Sequence, residues 1–113
     1  MSSTVAAPQL DDRAVVVLDD HVVGEGLPEL RWQLHDLVVA GTRTIVVDLT
    51  DTTRVGSGAL AALLGAHRAC RARGGAVVLR NPGRQVSDLM QRTGLWRVFV
   101  VERASAPHRS RRV

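Results

Sequence analysis

The strand-like runs in this chain are apolar throughout rather than alternating, and that pattern limits the folds open to it. Ala14 to Leu18 reads AVVVL, Thr44 to Leu49 reads TIVVDL, and Ala76 to Leu79 reads AVVL. Each is short, rich in β-branched residues and set off by nearby Asp or Gly, which marks buried strands. Between them the apolar period changes. Leu27, Leu30, Leu34, Leu37 and Val38 recur at helical spacing, so residues 27–40 are predicted to form an amphipathic helix. Pro28 sits in its first turn and Gly41 is its stop.

A second helix is predicted from Ser57, with Leu60, Leu63, Leu64 and His67 on one face and Gly74-Gly75 as its end. Asn81-Pro82-Gly83 then turns into a third, with Val86, Leu89, Met90 and Thr93 facing inward and Gly94 ending it. Trp96 to Val101 is predicted as the last strand, and His21 to Val23 as a continuation or partner of the first. Strands that do not alternate are expected to be covered on both faces. The expected fold is therefore α/β, a single domain with a central mixed sheet and right-handed crossover helices packed against it.

A length of 113 residues suits one domain, and a 45% hydrophobic share is enough for a core. The expected division is a flexible N-terminus over residues 1–12, the domain over 13–102, and a basic disordered tail over 103–113. Arg103, Arg109, Arg111 and Arg112 in that tail, with no acid among them, account for the net charge of +4. A charge concentrated in a short tail does not mark a nucleic-acid surface, and none is expected. No apolar run approaches the roughly 20 residues of a membrane helix, and the first residues do not resemble a signal peptide. A cytoplasmic protein without membrane insertion is expected. Cys70 is the sole cysteine, which excludes an intrachain disulfide.

Enzyme motifs fit poorly. A hydrolase nucleophile elbow around Ser57 would need glycine where Val55 and Ala59 stand. His21, His35 and His67 have no metal-ligand spacing, and His67 reads as a half-buried packing residue. Asp48 and Asp51 form a possible carboxylate pair, although turn and capping roles are commoner for such residues. Gly56 to Ala61 matches the dinucleotide turn G-x-G-x-x-A, but the loop Thr50 to Val55 separates it from its strand. No metal or cofactor is expected. What remains is the physics of the turn. Gly56 and Gly58 relax the backbone, Ser57 is an N-cap candidate, and free N–H groups at the helix start suit an anion or a partner protein.

The order of these pieces resembles the STAS domain, the fold of bacterial anti-sigma factor antagonists. The family pattern is carried by Ile45 to Leu49 (IVVDL), Gly56 to Leu63 (GSGALAAL), Gly74-Gly75, Asn81 to Gly83 (NPG) and Thr93-Gly94-Leu95, followed by WRVFVV. The resemblance spans Ala14 to Val101. It implies a non-enzymatic regulator that binds an anti-sigma factor with serine kinase activity and so influences sigma-dependent transcription. In the family that kinase phosphorylates the second Ser of D-S-S-G. In the gap-free register, Gly56 falls at the Asp, Ser57 at the first Ser, Gly58 at the phosphorylated Ser and Ala59 at the Gly. A shift of one would place Ser57-Gly58 on the family's S-G, at the cost of the register on both sides. The family's earlier L-x-G-E-L-D also departs, with Asp20 at its Gly and Val23 at its final Asp.

The resemblance therefore implies a partner surface of Asp20, His21, Val23, Gly56, Ser57, Gly58, Ala59 and Leu60. Ser57 is the candidate phosphorylation site, with Thr52 and Thr53 as weaker ones. The alternatives are a small STAS subunit of a membrane transport complex docking on an ATPase, and a degenerate non-switching scaffold. A homodimer remains open.

Overall fold

The computed structural model describes residues 13–103; the expected N-terminus, 1–12, and the expected tail, 103–113, lie outside the described residues except for Arg103, whose guanidinium donates to the Pro82 carbonyl at 3.3 Å. The elements run β1 (Arg13–Asp19), α1 (Asp20–Val23), α2 (Leu27–Val39), β2 (Thr44–Asp51), α3 (Ser57–Ala72), β3 (Ala76–Arg80), α4 (Arg84–Thr93), a 3-10 turn (Leu95–Arg97) and β4 (Val100–Glu102). The fold is α/β, with the strands in the order β1-β2-β3-β4. Every pairing among the described residues is parallel, where a mixed sheet was expected. The connectivity requires this. Each strand reaches the next through a helix, which returns the chain to the same end of the sheet.

Sequential order with right-handed crossovers sends the connecting helices to one face. The core agrees. Val16, Val47 and Leu79 form one cross-strand row, and Ala14, Ile45 and Val77 another. Both rows pack in one cluster with Leu30 and Leu34 of α2, Leu63 and Cys70 of α3, and Val86 and Met90 of α4. The opposite row, Val15, Val46, Val78 and Val100, bears no helix among the described residues. Val46 there is fully buried, but Val100 is 49% exposed, as is Val17 at 42% one row further on. Cover on both faces was expected; among the described residues the helices pack on one. Apolar runs without alternation do not by themselves say what covers each face.

Helix stops match the sequence. Gly41 and Gly74 take left-handed backbone at φ 88° and 87°, and the N–H of Gly75 returns to the Cys70 carbonyl at 2.8 Å. Gly75 serves a different purpose, because a Cβ there would collide with the backbone carbonyl of Arg43. Two expectations fail. His21 to Val23 do not extend the first strand; the chain turns into α1, with Gly24 and Gly26 N–H groups both donating to the His21 carbonyl. Trp96 does not begin a strand either. Gly94, at φ 77°, turns the chain into the 3-10 turn, and pairing starts only at Val100. Trp96 is 50% exposed beside the Arg97 guanidinium, whereas Phe99 is the buried aromatic of this segment.

Candidate functional site

In a parallel sheet the residues that follow the strands gather along one edge, and open α/β sheets bind their ligands there. Asp20 follows β1, and the loop from Thr52 to Gly56 follows β2. The two segments are joined by a bidentate contact. The Thr53 N–H donates to Asp20 Oδ1 at 2.8 Å, and the Thr53 hydroxyl donates to Oδ2 at 2.9 Å. These bonds, first that from the Thr53 backbone and then that from its hydroxyl, hold the exposed Asp20 carboxyl below its ordinary value, with Arg54 acting in the same direction. A cleft of about 410 Å³ opens beside them, lined in part by Asp20, Val23, Gly24, Arg54 and Gly56.

The start of α3 forms the other wall. Gly56 is its extended N-cap at φ −84°, ψ 177°, and makes no side-chain cap. Ser57 is already the first helical residue, so the expectation that it caps the helix is not met. A residue with helical backbone at that position is too far along to fold its hydroxyl onto the next N–H groups. Its side chain is exposed. The first hydrogen bond of the helix runs from Leu60 N–H to the Gly56 carbonyl at 3.0 Å, leaving the N–H groups of Ser57, Gly58 and Ala59 without intrahelical partners.

Neither Gly56 nor Gly58 has positive φ, so neither is needed for backbone freedom. Gly58 leaves space that the Leu27 side chain occupies. A Cβ there would lie 2.6 Å from Leu27 Cδ2 and 3.7 Å from Arg31 Nη2. The side chain that a phosphoacceptor would place at this position is replaced by Leu27 of α2. Arg31 lies beside it and was not anticipated from the sequence. Its position depends on how α2 crosses α3, a contact between segments that no local pattern encodes.

Of the eight residues expected on the partner surface, Asp20, Val23 and Gly56 meet at the cleft, and Ser57 is exposed next to it. His21 is exposed on α1, 3.9 Å from Glu25. Gly58 and Leu60 are half-buried, and Leu60 packs against the core. Ala59 does not belong to the surface. It is 1% exposed, because the first inward position of α3 points it at the sheet. Thr52 is 3% exposed, its hydroxyl unpaired among the described residues, and a kinase cannot reach it without opening the loop.

The other candidates fall into structural roles. Asp48 Oδ1 accepts the N–H and the hydroxyl of Thr50, a turn contact rather than half of a carboxylate pair. His67 is buried rather than half-buried, and its Nδ1 accepts the Val77 N–H at 3.1 Å. Cys70 is buried, and burial pushes its thiol up. Among the described residues no group of three or more His, Cys, Asp or Glu is placed to hold a metal ion, and no helix is long and apolar enough to cross a membrane.

With this geometry in place, comparison with known proteins gives a consistent picture. A family model described as "Mlab, STAS domain" matches residues 5–102. No curated protein sequence matches the chain. Among solved structures it is similar to TM1081 of Thermotoga maritima, a candidate anti-sigma factor antagonist, with 18% identity, TM-score 0.72 and coverage of 85% of this chain and 82% of that one. It is also similar to the anti-sigma factor antagonist SpoIIAA in its unphosphorylated form, with 19% identity, TM-score 0.76 and coverage of 89% and 86%. The phosphorylated form of SpoIIAA, from Bacillus, aligns with 21% identity, TM-score 0.66 and coverage of 89% of each chain. At these identities the likeness concerns the fold.

Proposed function

Because the chain belongs to the STAS domain family, we propose that it is a non-enzymatic regulator of the anti-sigma factor antagonist type, docking on an anti-sigma factor through the β1–β2 edge and the start of α3. The observation that carries this reading is the Asp20–Thr53 pair. It fastens the segment after β1 to the loop after β2, so that two stretches distant in sequence present one preformed surface. Preformed surfaces bind without a large ordering cost. The exposed Ser57, the uncapped N–H groups of α3 and the cleft beside Asp20 all lie along it.

The partner is an anti-sigma factor with serine kinase activity, and the consequence of docking is a change in sigma-dependent transcription. Ser57 is the exposed hydroxyl that such a kinase would modify. A phosphate there would add nearly two negative charges at the centre of the surface and oppose docking. Gly58 has no side chain to modify, and Leu27 covers its position. Docking that persists without phosphorylation is therefore the basal state of this chain.

The test is co-purification from the native host followed by incubation of the recovered complex with ATP. The reading expects an ATP-binding anti-sigma factor, and label on Ser57 that disappears in Ser57→Ala. Recovery of transporter ATPase subunits in its place would overturn the antagonist reading in favour of a transport subunit. An active kinase that leaves Ser57 unlabelled would remove the switch and leave the docking.

A further inference from the structure

Beside the candidate site, α2 carries large apolar side chains on its outer surface. Trp32 is 65% exposed and Val39 68%. At about 100° per residue, Val38, Arg31, His35, Pro28, Val39 and Trp32 fall in one continuous sector of α2. The acids of that helix, Glu29 and Asp36, fall beyond its Trp32 edge. The opposite edge borders α3, where a groove of about 400 Å³ runs between the two helices. Arg31, His35 and Val38 stand on its α2 side, and Ala61, Ala62 and Gly65 lie on its α3 side. Nothing lies within 4 Å of the Cβ position at Gly65, so the groove is open there.

Two observations bear on what fills it. Trp32 stands outside the groove on the far side of His35, its ring edge-on to the imidazole with centroids 5.9 Å apart at 85°, so a helix seated in the groove passes beside it. The charged or titratable groups of the sector are Arg31 and His35, and neither has an ion-pair partner among the described residues. Arg31 also reaches the start of α3 beside Gly58, which makes the groove continuous with the docking surface.

We propose that the α2–α3 groove receives an acidic amphipathic helix of the docking partner. An apolar sector whose one fixed charge is the Arg31 guanidinium, with the His35 imidazole beside it, is complementary to a helix whose apolar stripe is flanked by carboxylates. The small residues on the α3 side let such a helix approach closely. A second copy of this chain is less complementary, because its own α2 would bring a second Arg31 guanidinium to the groove. The proposal rests on the reading that the start of α3 faces a protein partner, and it specifies the chemistry of that partner.

The test is an NMR titration of the ¹⁵N-labelled full chain with two synthetic amphipathic helices. Both share a leucine stripe; one is flanked by Glu and the other by Lys. The Glu peptide is expected to shift the amides of Ala61, Ala62 and Gly65 and the Trp32 indole, and to bind at least about tenfold more tightly than the Lys peptide. Arg31→Glu should reverse that preference, and Gly65→Leu, which fills the open groove, should abolish binding. Equal affinity for the two peptides, shifts confined to other surfaces, or binding that survives Gly65→Leu would overturn the proposal. So would shifts of the same amides on concentrating the protein alone, which would assign the groove to a second copy. A native partner whose binding is unaffected by Arg31→Glu and Gly65→Leu overturns the groove and leaves the docking function standing.

Discussion

The imidazole Nδ1 of His67 accepts the backbone N–H of Val77 at 3.1 Å. Val77 lies in β3 one residue before the pairing with β4 begins at Val78. A side chain from α3 therefore accepts a strand N–H at the point where the neighbouring strand has not yet started. Phe99 closes the site, its ring 5.3 Å from the imidazole. The bond needs an unprotonated Nδ1, so His67 is neutral in the folded chain, with its proton on Nε2.

That requirement makes stability depend on pH. Burial first, and the Arg71 charge second, lower the His67 pKa below 6.5. The unfolded chain then takes up the proton more readily than the folded one. The contribution is fully present above about pH 6.5 and is lost as pH falls from there through the folded pKa. The urea midpoint should drop between pH 7.5 and pH 5.5. His67→Leu should remove most of this slope, and should cost about 1–3 kcal/mol at pH 7.5 by leaving the Val77 N–H unpaired. The same slope in both proteins would place the titration elsewhere.

Gly58 is occupied from outside by Leu27, and the effect of a side chain at position 58 depends on that neighbour. Replacing a helical glycine with alanine gains up to about 1 kcal/mol, less in the first turn, where Gly58 stands. Here the new methyl meets Leu27 Cδ2, the end of a half-buried side chain that must turn aside, which offsets that gain. Gly58→Ala should therefore be clearly less favourable in the wild-type chain than in a Leu27→Ala background. A double-mutant cycle in urea measures this coupling. A change of the same sign and size in both backgrounds would mean that Leu27 does not constrain the turn.

Asp20 and Thr53 hold the loop after β2 in place without contributing much to the core. Asp20→Asn should leave the global unfolding midpoint nearly unchanged and speed amide hydrogen exchange at Thr53 and its neighbours. In the native chain the Asp20 carboxyl lies below 3.8. The contact therefore persists above that value and is lost as pH falls through the folded pKa. Exchange at Thr53 unchanged by Asp20→Asn would show that the loop is held by other groups.

Much of the architecture could be read from local pattern. The β-branched runs gave the strands, Gly41 and Gly74 marked the helix ends, and the Gly-Ser-Gly turn located the start of α3. Contacts between distant segments were not readable. Nothing near Gly58 shows that Leu27 fills its space, and nothing near Val77 shows that His67 accepts its N–H. The Asp20–Thr53 pair follows from topology, since parallel strands bring the residues after β1 and β2 to one edge. The last segment departs from its local pattern for a different reason. Trp96 to Val101 is apolar and β-branched like a strand, but the left-handed Gly94 winds its first residues into a 3-10 turn.

The most direct measurement is photo-crosslinking in the native host from a benzophenone side chain at Gly56, with Gln85 on α4 as the control position. Both positions are exposed, and nothing lies within 4 Å of the Gly56 Cβ position, so the probe is tolerated there. The account predicts a crosslink from position 56 to an anti-sigma factor, weakened by Asp20→Asn and absent from position 85. A crosslink of equal yield from both positions, or one from position 56 to a transporter ATPase, would contradict it.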